Sequence, residues 1–441
     1  MQYIQKGAKM KKAALHNLGC KVNAYETEAM QQMLESAGYE IVDFHETADV
    51  YVINTCSVTN MADRKSRQMI HRAKKMNPEA VVVAAGCYVQ TKEEEAVADE
   101  AIDIIIGNNK KYELVTRLDE FFRDHGKIDA VLDINDKNQE FEELYMDQPS
   151  EHTRAFIKVQ DGCNQFCSYC IIPYARGRVR RRNIESVLDE VNRLAANGYK
   201  EVVLTGIHLS SYSSGEVTLL KLIQEIHKIE GIKRIRLGSL EPKVVTEEFA
   251  SELSELEKVC PHFHLSLQSG CDATLQRMNR KYTAEEYENG CKMLRKYFEH
   301  PAITTDVIVG FPGETEDEFA ITKEFLERIH FYEMHIFQYS KRQGTRAAVM
   351  KEQIPENIKK VRSAELIELG DRMSEEFRDY YLGKEAEVLF EEEVTIKGKP
   401  YYVGYTKEYV KVAKNSDVPL DNQLVNGVLT TLIEDGIYIM E

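Results

Sequence analysis

No apolar run in the 441-residue chain approaches the roughly 18 residues that a membrane-crossing helix needs, so no transmembrane segment is expected. Met1 to Lys12 carries Lys6, Lys9, Lys11 and Lys12 but no apolar stretch ahead of a small-residue cleavage site, so it does not read as a secretory signal. These absences point to the cytoplasm. Positive charge is also scarce: 57 Lys and Arg against 73 Asp and Glu leave a formal charge of −16. This argues against attraction to nucleic acid over the whole surface, because it requires several cations that neutralise phosphates. Any RNA contact has to come from a local basic patch. The nine cysteines are an odd number in a large chain without a secretion signal, which argues against a disulfide framework and for metal or redox use. No low-complexity tract or repeat is present.

What is present is an alternation. A chain of this length exceeds one hydrophobic core and implies two or three domains. From Ala13 to Ile106, β-like apolar runs alternate with helical patterns, the signature of βαβ units and a parallel sheet. The polar stretch Asp133 to Glu151 reads as a linker or hairpin arm. Six further strand candidates, from Ala155–Gln160 to Met334–Tyr339, alternate with helices and predict a partial (β/α)6 barrel with its chemistry at the C-terminal strand ends. Thr315 and Glu318 predict a capping box. Five short β runs after Lys384, separated by Gly, Pro, Asn and Asp, suggest a five-stranded barrel like the oligonucleotide-binding fold. The expected class is α/β: an open parallel sheet domain over 10–123, a central barrel over 146–373 and a small β-barrel over 376–441.

Cys163, Cys167 and Cys170 directly follow the first strand of the central barrel. Three thiolates in eight residues suit three irons of a [4Fe–4S] cube and leave the fourth iron open. A structural zinc site would want four ligands, commonly in C-x2-C pairs, and no partner pair lies nearby. Cys20, Cys56 and Cys87 each stand immediately after a strand of the first domain, in Leu18-Gly19-Cys20, Asn54-Thr55-Cys56 and Ala85-Gly86-Cys87. Strand carboxyl ends line one edge of an open parallel sheet, so three thiols distant in sequence become neighbours there. The competing reading is three small buried cysteines. Cys260, Cys271 and Cys291 lack such an arrangement and read as packing residues.

The three-cysteine loop resembles that of the radical S-adenosylmethionine (SAM) superfamily, in which the open iron chelates SAM. Leu18 through Asn23, Asn54 through Thr59 and Ala85 through Cys87 look like the N-terminal domain of the methylthiotransferases. Asp161 through Arg178 resembles their SAM loop, and the last 65 residues or so resemble their TRAM domain. The resemblance implies a second [4Fe–4S] cluster on Cys20, Cys56 and Cys87 that carries sulfur. It also implies two uses of SAM, one as methyl donor to that sulfur and one as source of a 5′-deoxyadenosyl radical. Tyr169 matches the aromatic that lies over adenine. Glu241 and Gln268, at the ends of the third and fourth barrel strands, are candidates for ribose or methionine contact. Thr205 and Gly206 stand where the superfamily has Gly-Gly-Glu, and Ile308 through Gly310 resembles the stretch along adenine, where only backbone contact is expected.

Arg176, Arg178, Arg180, Arg181 and Arg182 form a local inversion of sign, which suggests a phosphate-binding patch that Arg277, Arg280 and Lys281 extend. From Ser374 onward, 14 acids face 7 Lys and Arg, which weakens the case for RNA binding by the terminal barrel. Gly19 through Glu26 and Asn54 through Asn60 look most like the branch that modifies threonylcarbamoyladenosine beside a tRNA anticodon. The rival substrates are isopentenyladenosine in tRNA and an aspartate of a small-subunit ribosomal protein, and the rival class is a non-catalytic iron–sulfur electron carrier or RNA-binding module. The resemblance also implies the anticodon stem-loop as partner and a low-potential donor such as flavodoxin or ferredoxin; a monomer is expected.

Overall fold

In the computed structural model, which describes residues 10–146, 153–434 and 436–441, the chain divides into two compact units. One gathers the described residues of Met1–Gln148 with Gln160–Asn164 and Cys170–Arg182; the other holds the described remainder.

The first unit is built on strands too apolar to face water. β1 (Lys12–Asn17), β2 (Glu40–Ile41), β3 (Val50–Thr55), β4 (Val81–Gly86), β5 (Ile104–Ile106) and β6 (Ile128–Ala130) form a sheet in the order β2-β1-β3-β4-β5-β6, and every pairing is parallel. Every residue of β3, β4 and β5 is buried. Each fully buried Val or Ile contributes about 1.5–3 kcal/mol. Helices α1 (Lys21–Ser36) and α2 (Asn60–Met76) pack on the sheet, and Thr59 caps α2 by accepting the Ala62 amide. The segment expected as a linker is instead packed into this unit as far as it is described. Ile134, Leu144 and Met146 are buried, Tyr25 donates its hydroxyl to the Leu144 carbonyl, and Glu142 accepts the Tyr112 amide at 3.1 Å. Its apolar residues are spaced irregularly, which hides their burial from periodicity. Residues 147–151 of that stretch lie outside the described residues.

In the second unit, β7 (Arg154–Asp161) enters through its first residues, while its last two, Gln160 and Asp161, belong to the first unit and pair there with β8 (Arg180–Arg181). β9 (Glu201–Gly206) follows. A short hairpin, β10 (Ser213–Ser214) and β11 (Val217–Thr218), comes next, then β12 (Arg234–Leu237), β13 (His262–His264), β14 (Ala302–Val309) and β15 (Glu333–Gln338). The runs β12-β9-β7 and β13-β14-β15 are joined by the bridges Ile235 to Val259 and Leu240 to Leu265, so six strands follow one another as an open barrel. Helices between the strands bury their apolar faces on it. Thr283 with Glu286, and Thr315 with Glu318, close capping boxes.

The chain ends in a closed five-stranded barrel, ordered β16 (Glu385–Ile396), β17 (Lys399–Tyr405), β18 (Lys411–Lys414), β20 (Ile437–Met440), β19 (Leu424–Glu434). It is seated by buried arginines of β12. Arg234 donates to the carbonyls of Tyr405 at 2.8 Å and Glu387 at 2.7 Å, and Arg236 to that of Lys407 at 2.9 Å. Glu201 neutralises Arg236 at 2.8 Å.

Candidate active site

Cys20, Cys56 and Cys87 follow β1, β3 and β4, three adjacent strands whose register sets Asn17 beside Asn54 and Thr55 beside Gly86. Cys20 is the N-cap of α1, which therefore starts four residues before the periodic pattern suggests, and Cys87 opens the short helix Cys87–Thr91. Helix N-termini favour thiolate over thiol. Gly19 and Gly86 lie at φ +108° and +97°; a Cβ on Gly19 would come within 2.9 Å of the Cys56 sulfur. Burial, with the neighbouring Cys87, pushes the Cys56 thiol up to about 11, so without a metal this group stays protonated. Asn108 Nδ2 approaches the Cys87 sulfur at 3.5 Å.

Arg176 completes this set. Fully buried, it donates to Glu26 at 2.5 and 2.9 Å and to Asp161 at 3.3 Å, and it holds Asn23 one turn into the helix that Cys20 begins. Lys111, also fully buried, meets Glu26 at 3.0 Å. Burial opposes the Arg176 charge, but Glu26, Cys87 and Asp161 hold its pKa well above the ordinary value. Its Nε is buried without a hydrogen-bond partner among the described residues, a donor that a sulfur-rich group on these thiols would satisfy. Three thiols at one sheet edge, one buried cation and that unfilled donor fit a [4Fe–4S] cluster with one open iron.

Of the arginine run, only Arg178 and Arg181 are exposed. The phosphate role expected for Arg176, Arg180 and Arg182 is corrected by their burial. Arg180 lies 3.6 Å from Asp161, and Arg182 donates to Glu143 at 3.0 Å and to the Tyr25 hydroxyl at 3.4 Å. The same correction applies to Arg280, whose side chain is 8% exposed and pairs with Glu241 at 3.3 Å; Lys281 remains exposed. Arg277 pairs with Glu318.

The loop bearing Cys163, Cys167 and Cys170 is held in each unit. In the first, the Cys163 amide donates to the Gly177 carbonyl at 3.0 Å, and Gly162 (φ +71°) sits where a Cβ would fall 1.9 Å from the Arg178 carbonyl oxygen. In the second, Arg280 Nη1 donates to the Cys167 sulfur at 3.3 Å, Asn279 to the Phe166 carbonyl at 2.9 Å, and the Ser168 amide to the Met278 carbonyl at 2.9 Å. Tyr169 meets Phe311 edge to face at 6.4 Å, with Ile308 in the same apolar cluster.

Glu241, after β12, meets His208 at 3.0 Å, Arg280 at 3.3 Å and the Gln165 amide at 3.1 Å. Burial works against its charge, but hydrogen bonding from His208 and the charge of Arg280 outweigh it and hold the carboxyl below its usual value. Gln268 adopts φ +73°, a conformation that L side chains rarely take, while its backbone pairs with β14. Held by surrounding structure, such strain marks functional positions. Thr205 and Gly206 close β9, Thr205 buried and Gly206 half-buried. Backbone contact from Ile308 and Gly310 is corrected in part. The Gly310 amide is taken by Glu314 at 2.8 Å and the Ile308 amide by the Gln268 carbonyl at 2.9 Å, which leaves their carbonyls and the Ile308 side chain. His208 and Ser210, whose hydroxyl accepts the Glu241 amide at 2.8 Å, were missed by sequence reading; their proximity to the end of β9 is the signal that could have found them.

Residues 157–326 match the Radical SAM superfamily, and residues 12–107 match the uncharacterized protein family UPF0004. "Threonylcarbamoyladenosine tRNA methylthiotransferase MtaB" of Bacillus subtilis (strain 168) is 44% identical over 407 residues, covering 91% of this chain and 90% of that relative. The protein of the same name from Aquifex aeolicus (strain VF5) is 43% identical over 404 residues, covering 91% and 98%. "tRNA-2-methylthio-N(6)-dimethylallyladenosine synthase" of Acetivibrio thermocellus is 36% identical over 439 residues, covering 97% and 90%. Among solved structures, the radical S-adenosylmethionine methyltransferase TsrM of Kitasatospora setae, with cobalamin and a [4Fe-4S] cluster bound, superposes with a TM-score of 0.59 at 17% identity over 77% of each chain, a likeness of fold. A cysteine loop after the first barrel strand, a second cysteine set at a parallel sheet edge and full-length relatives above 40% identity lead to one conclusion: the chain belongs to the radical SAM methylthiotransferase family.

Proposed function

We propose that the protein inserts a methylthio group at C2 of N6-threonylcarbamoyladenosine at position 37 of tRNA, next to the anticodon. The observation that carries this reading lies inside the first unit. Arg176, six residues past Cys170, ties the SAM loop to the helix that begins at Cys20, so Cys163 and Cys170 share one compact unit with Cys20, Cys56 and Cys87. Two relatives at 43–44% identity carry the threonylcarbamoyladenosine name, and dimethylallyladenosine enzymes stand at 36–38%, beside further threonylcarbamoyladenosine enzymes at 35–36%.

C2 of adenine offers no acidic proton and no leaving group, so its hydrogen has to be removed by a radical. When bound, the loop cluster supplies the electron that cleaves SAM to the 5′-deoxyadenosyl radical, and the sheet-edge cluster supplies a sulfur that a second SAM methylates. The chain's own residues do the rest. Glu241, with His208 and Arg280, offers a charged anchor for the polar parts of SAM, and the strained Gln268 an uncharged polar one. Tyr169, Ile308 and Phe311 give an apolar wall that excludes water from a reactive radical. Of the cations proposed for tRNA phosphates, Arg178, Arg181 and Lys281 are the exposed ones. A flavodoxin or ferredoxin is the expected electron source, the protein works as a monomer, and the cytoplasm, where thiols stay reduced, is its compartment. No described helix is long and apolar enough to cross a membrane.

The test is expression in cells lacking their own enzyme, followed by mass spectrometry of tRNA nucleosides. The 2-methylthio derivative of threonylcarbamoyladenosine is the expected product; its absence removes the proposal, and methylthiolated isopentenyladenosine in its place transfers the protein to the other branch. A second prediction follows from Gly162. A Cβ there collides with main chain, so Gly162→Ala displaces the strand of loop that leads into Cys163. Iron in the reconstituted protein is expected to fall by about half, from about eight to about four per chain, and 5′-deoxyadenosine formation from SAM to be lost.

A further inference from the structure

Three side chains outside the site described above converge in the central barrel: His264 at the end of β13, Asp306 in β14 and His335 in β15. The strands are adjacent and parallel, with His264 level with Thr304 and Asp306 level with His335. The available ligand atoms of the three all lie within 4.8 Å of one another. We propose that His264, Asp306 and His335 form a binding site for a divalent first-row transition ion.

The geometry is that of a ligand set more than of an ion pair. His264 Nδ1 is engaged with Thr304 Oγ1 at 3.0 Å, which turns Nε2 toward Asp306 Oδ2 at 3.4 Å. Ligand atoms each about 2.0–2.2 Å from a shared ion stand about 3.0–3.5 Å apart, whereas a direct charged hydrogen bond would close to about 2.7–2.9 Å. Fixing one ring nitrogen to orient the other is how metal-binding imidazoles are held. The His335 ring lies nearly parallel to that of His264, 24° apart with centroids 5.9 Å apart, and it is exposed, free to move the remaining distance onto an ion. Two imidazoles with one carboxylate select Fe²⁺, Zn²⁺ or Co²⁺ over Mg²⁺ or Ca²⁺, which take oxygen ligands. Three protein ligands leave coordination positions for water or for an oxygen donor of another molecule. The site is reachable, since the Asp306 side chain is 31% exposed. Asp306 lies two residues before Ile308 and so shares a strand face with the residue that packs in the Tyr169 cluster.

The test uses the anaerobically reconstituted holoenzyme, dialysed against a fixed free Zn²⁺ concentration, with zinc, iron and sulfide counted together. One zinc per chain is expected in the unaltered protein. Asp306→Asn, which keeps the shape, and His335→Ala, at the exposed position, are expected to weaken zinc binding at least tenfold while iron and sulfide stay unchanged. No zinc in the unaltered protein, or equal zinc in all three, overturns the site and leaves an ordinary His264–Asp306 ion pair. Zinc uptake matched by iron loss assigns the metal to the cluster thiols and overturns it as well.

Discussion

Alanine at Cys20, Cys56 and Cys87 together is expected to halve the iron and acid-labile sulfide of anaerobically reconstituted protein, from about eight of each per chain to about four. It is also expected to abolish methylthio product while leaving SAM cleavage to 5′-deoxyadenosine. The two outcomes separate because the two cysteine sets come from different structural sources. The loop set lies within eight residues and is braced where Gly162 packs on the Arg178 carbonyl, Arg280 donates to the Cys167 sulfur and Asn279 donates to the Phe166 carbonyl. The sheet-edge set exists only because three parallel strands end in line. Small apolar side chains in place of its thiols keep the strand ends intact, so a loss of all iron would indicate collapse of the unit, and equal counts in the two proteins would remove the second cluster. Elemental analysis and chromatography of SAM reaction products read these outcomes directly.

Arg176→Ala is expected to have the largest effect on stability of any single arginine replacement. It strips Glu26 of a bidentate partner and leaves Asn23 and Asp161 short of one donor, all at buried positions. Removing one member of a buried charge set costs about 3–5 kcal/mol, because the remaining charge stays desolvated. For a unit of this size that corresponds to a fall of about 10 °C in melting temperature. Lys111 remains against Glu26 and limits the damage. A second readout distinguishes charge from scaffolding. The guanidinium acts electrostatically on Cys20, Cys56 and Cys87. Its removal is therefore expected to lower the reduction potential of a cluster on those thiols, since a nearby cation favours the added electron. Arg176→Lys keeps the charge but cannot form the paired hydrogen bonds, so it should retain the potential and lose most of the thermal stability that Arg176 contributes. Redox titration followed by electron paramagnetic resonance, beside a melting curve, measures both; an unchanged potential in Arg176→Ala would confine Arg176 to scaffolding.

The arginine run shows where sequence reading stops. Charge density in one dimension indicates a patch, but Arg180 and Arg182 alternate with Arg181 along a strand-like segment, so two point inward and one outward. That period of two was legible. Their partners were not, because Glu26, Tyr25, Glu143 and Asp161 come from distant parts of the chain and are brought together only by folding. Cysteines at strand ends were readable for the opposite reason: a parallel sheet converts sequence position into spatial adjacency by rule. Glu241 and Gln268 were readable as barrel-mouth residues, but the φ of Gln268 and the grip of His208 and Arg280 on Glu241 depend on three-dimensional neighbours. The Asp133–Met146 segment reads as a linker because its buried residues are few, Ile134, Glu142, Leu144 and Met146 among polar and exposed neighbours, and one of them is itself an acid.

The way Arg234 and Arg236 grasp the terminal barrel has a further consequence. Three of their bonds end on main-chain oxygens of Glu387, Tyr405 and Lys407, which every residue type supplies alike. The joint therefore reads backbone shape first, and the side chains it also grips are Glu387, which meets Arg234 at 3.1 Å, and Tyr409, whose ring centroid lies 4.4 Å from the Arg236 guanidinium. An appended module that keeps those two side chains can change the chemistry of its remaining surface without loosening its mooring to the catalytic body.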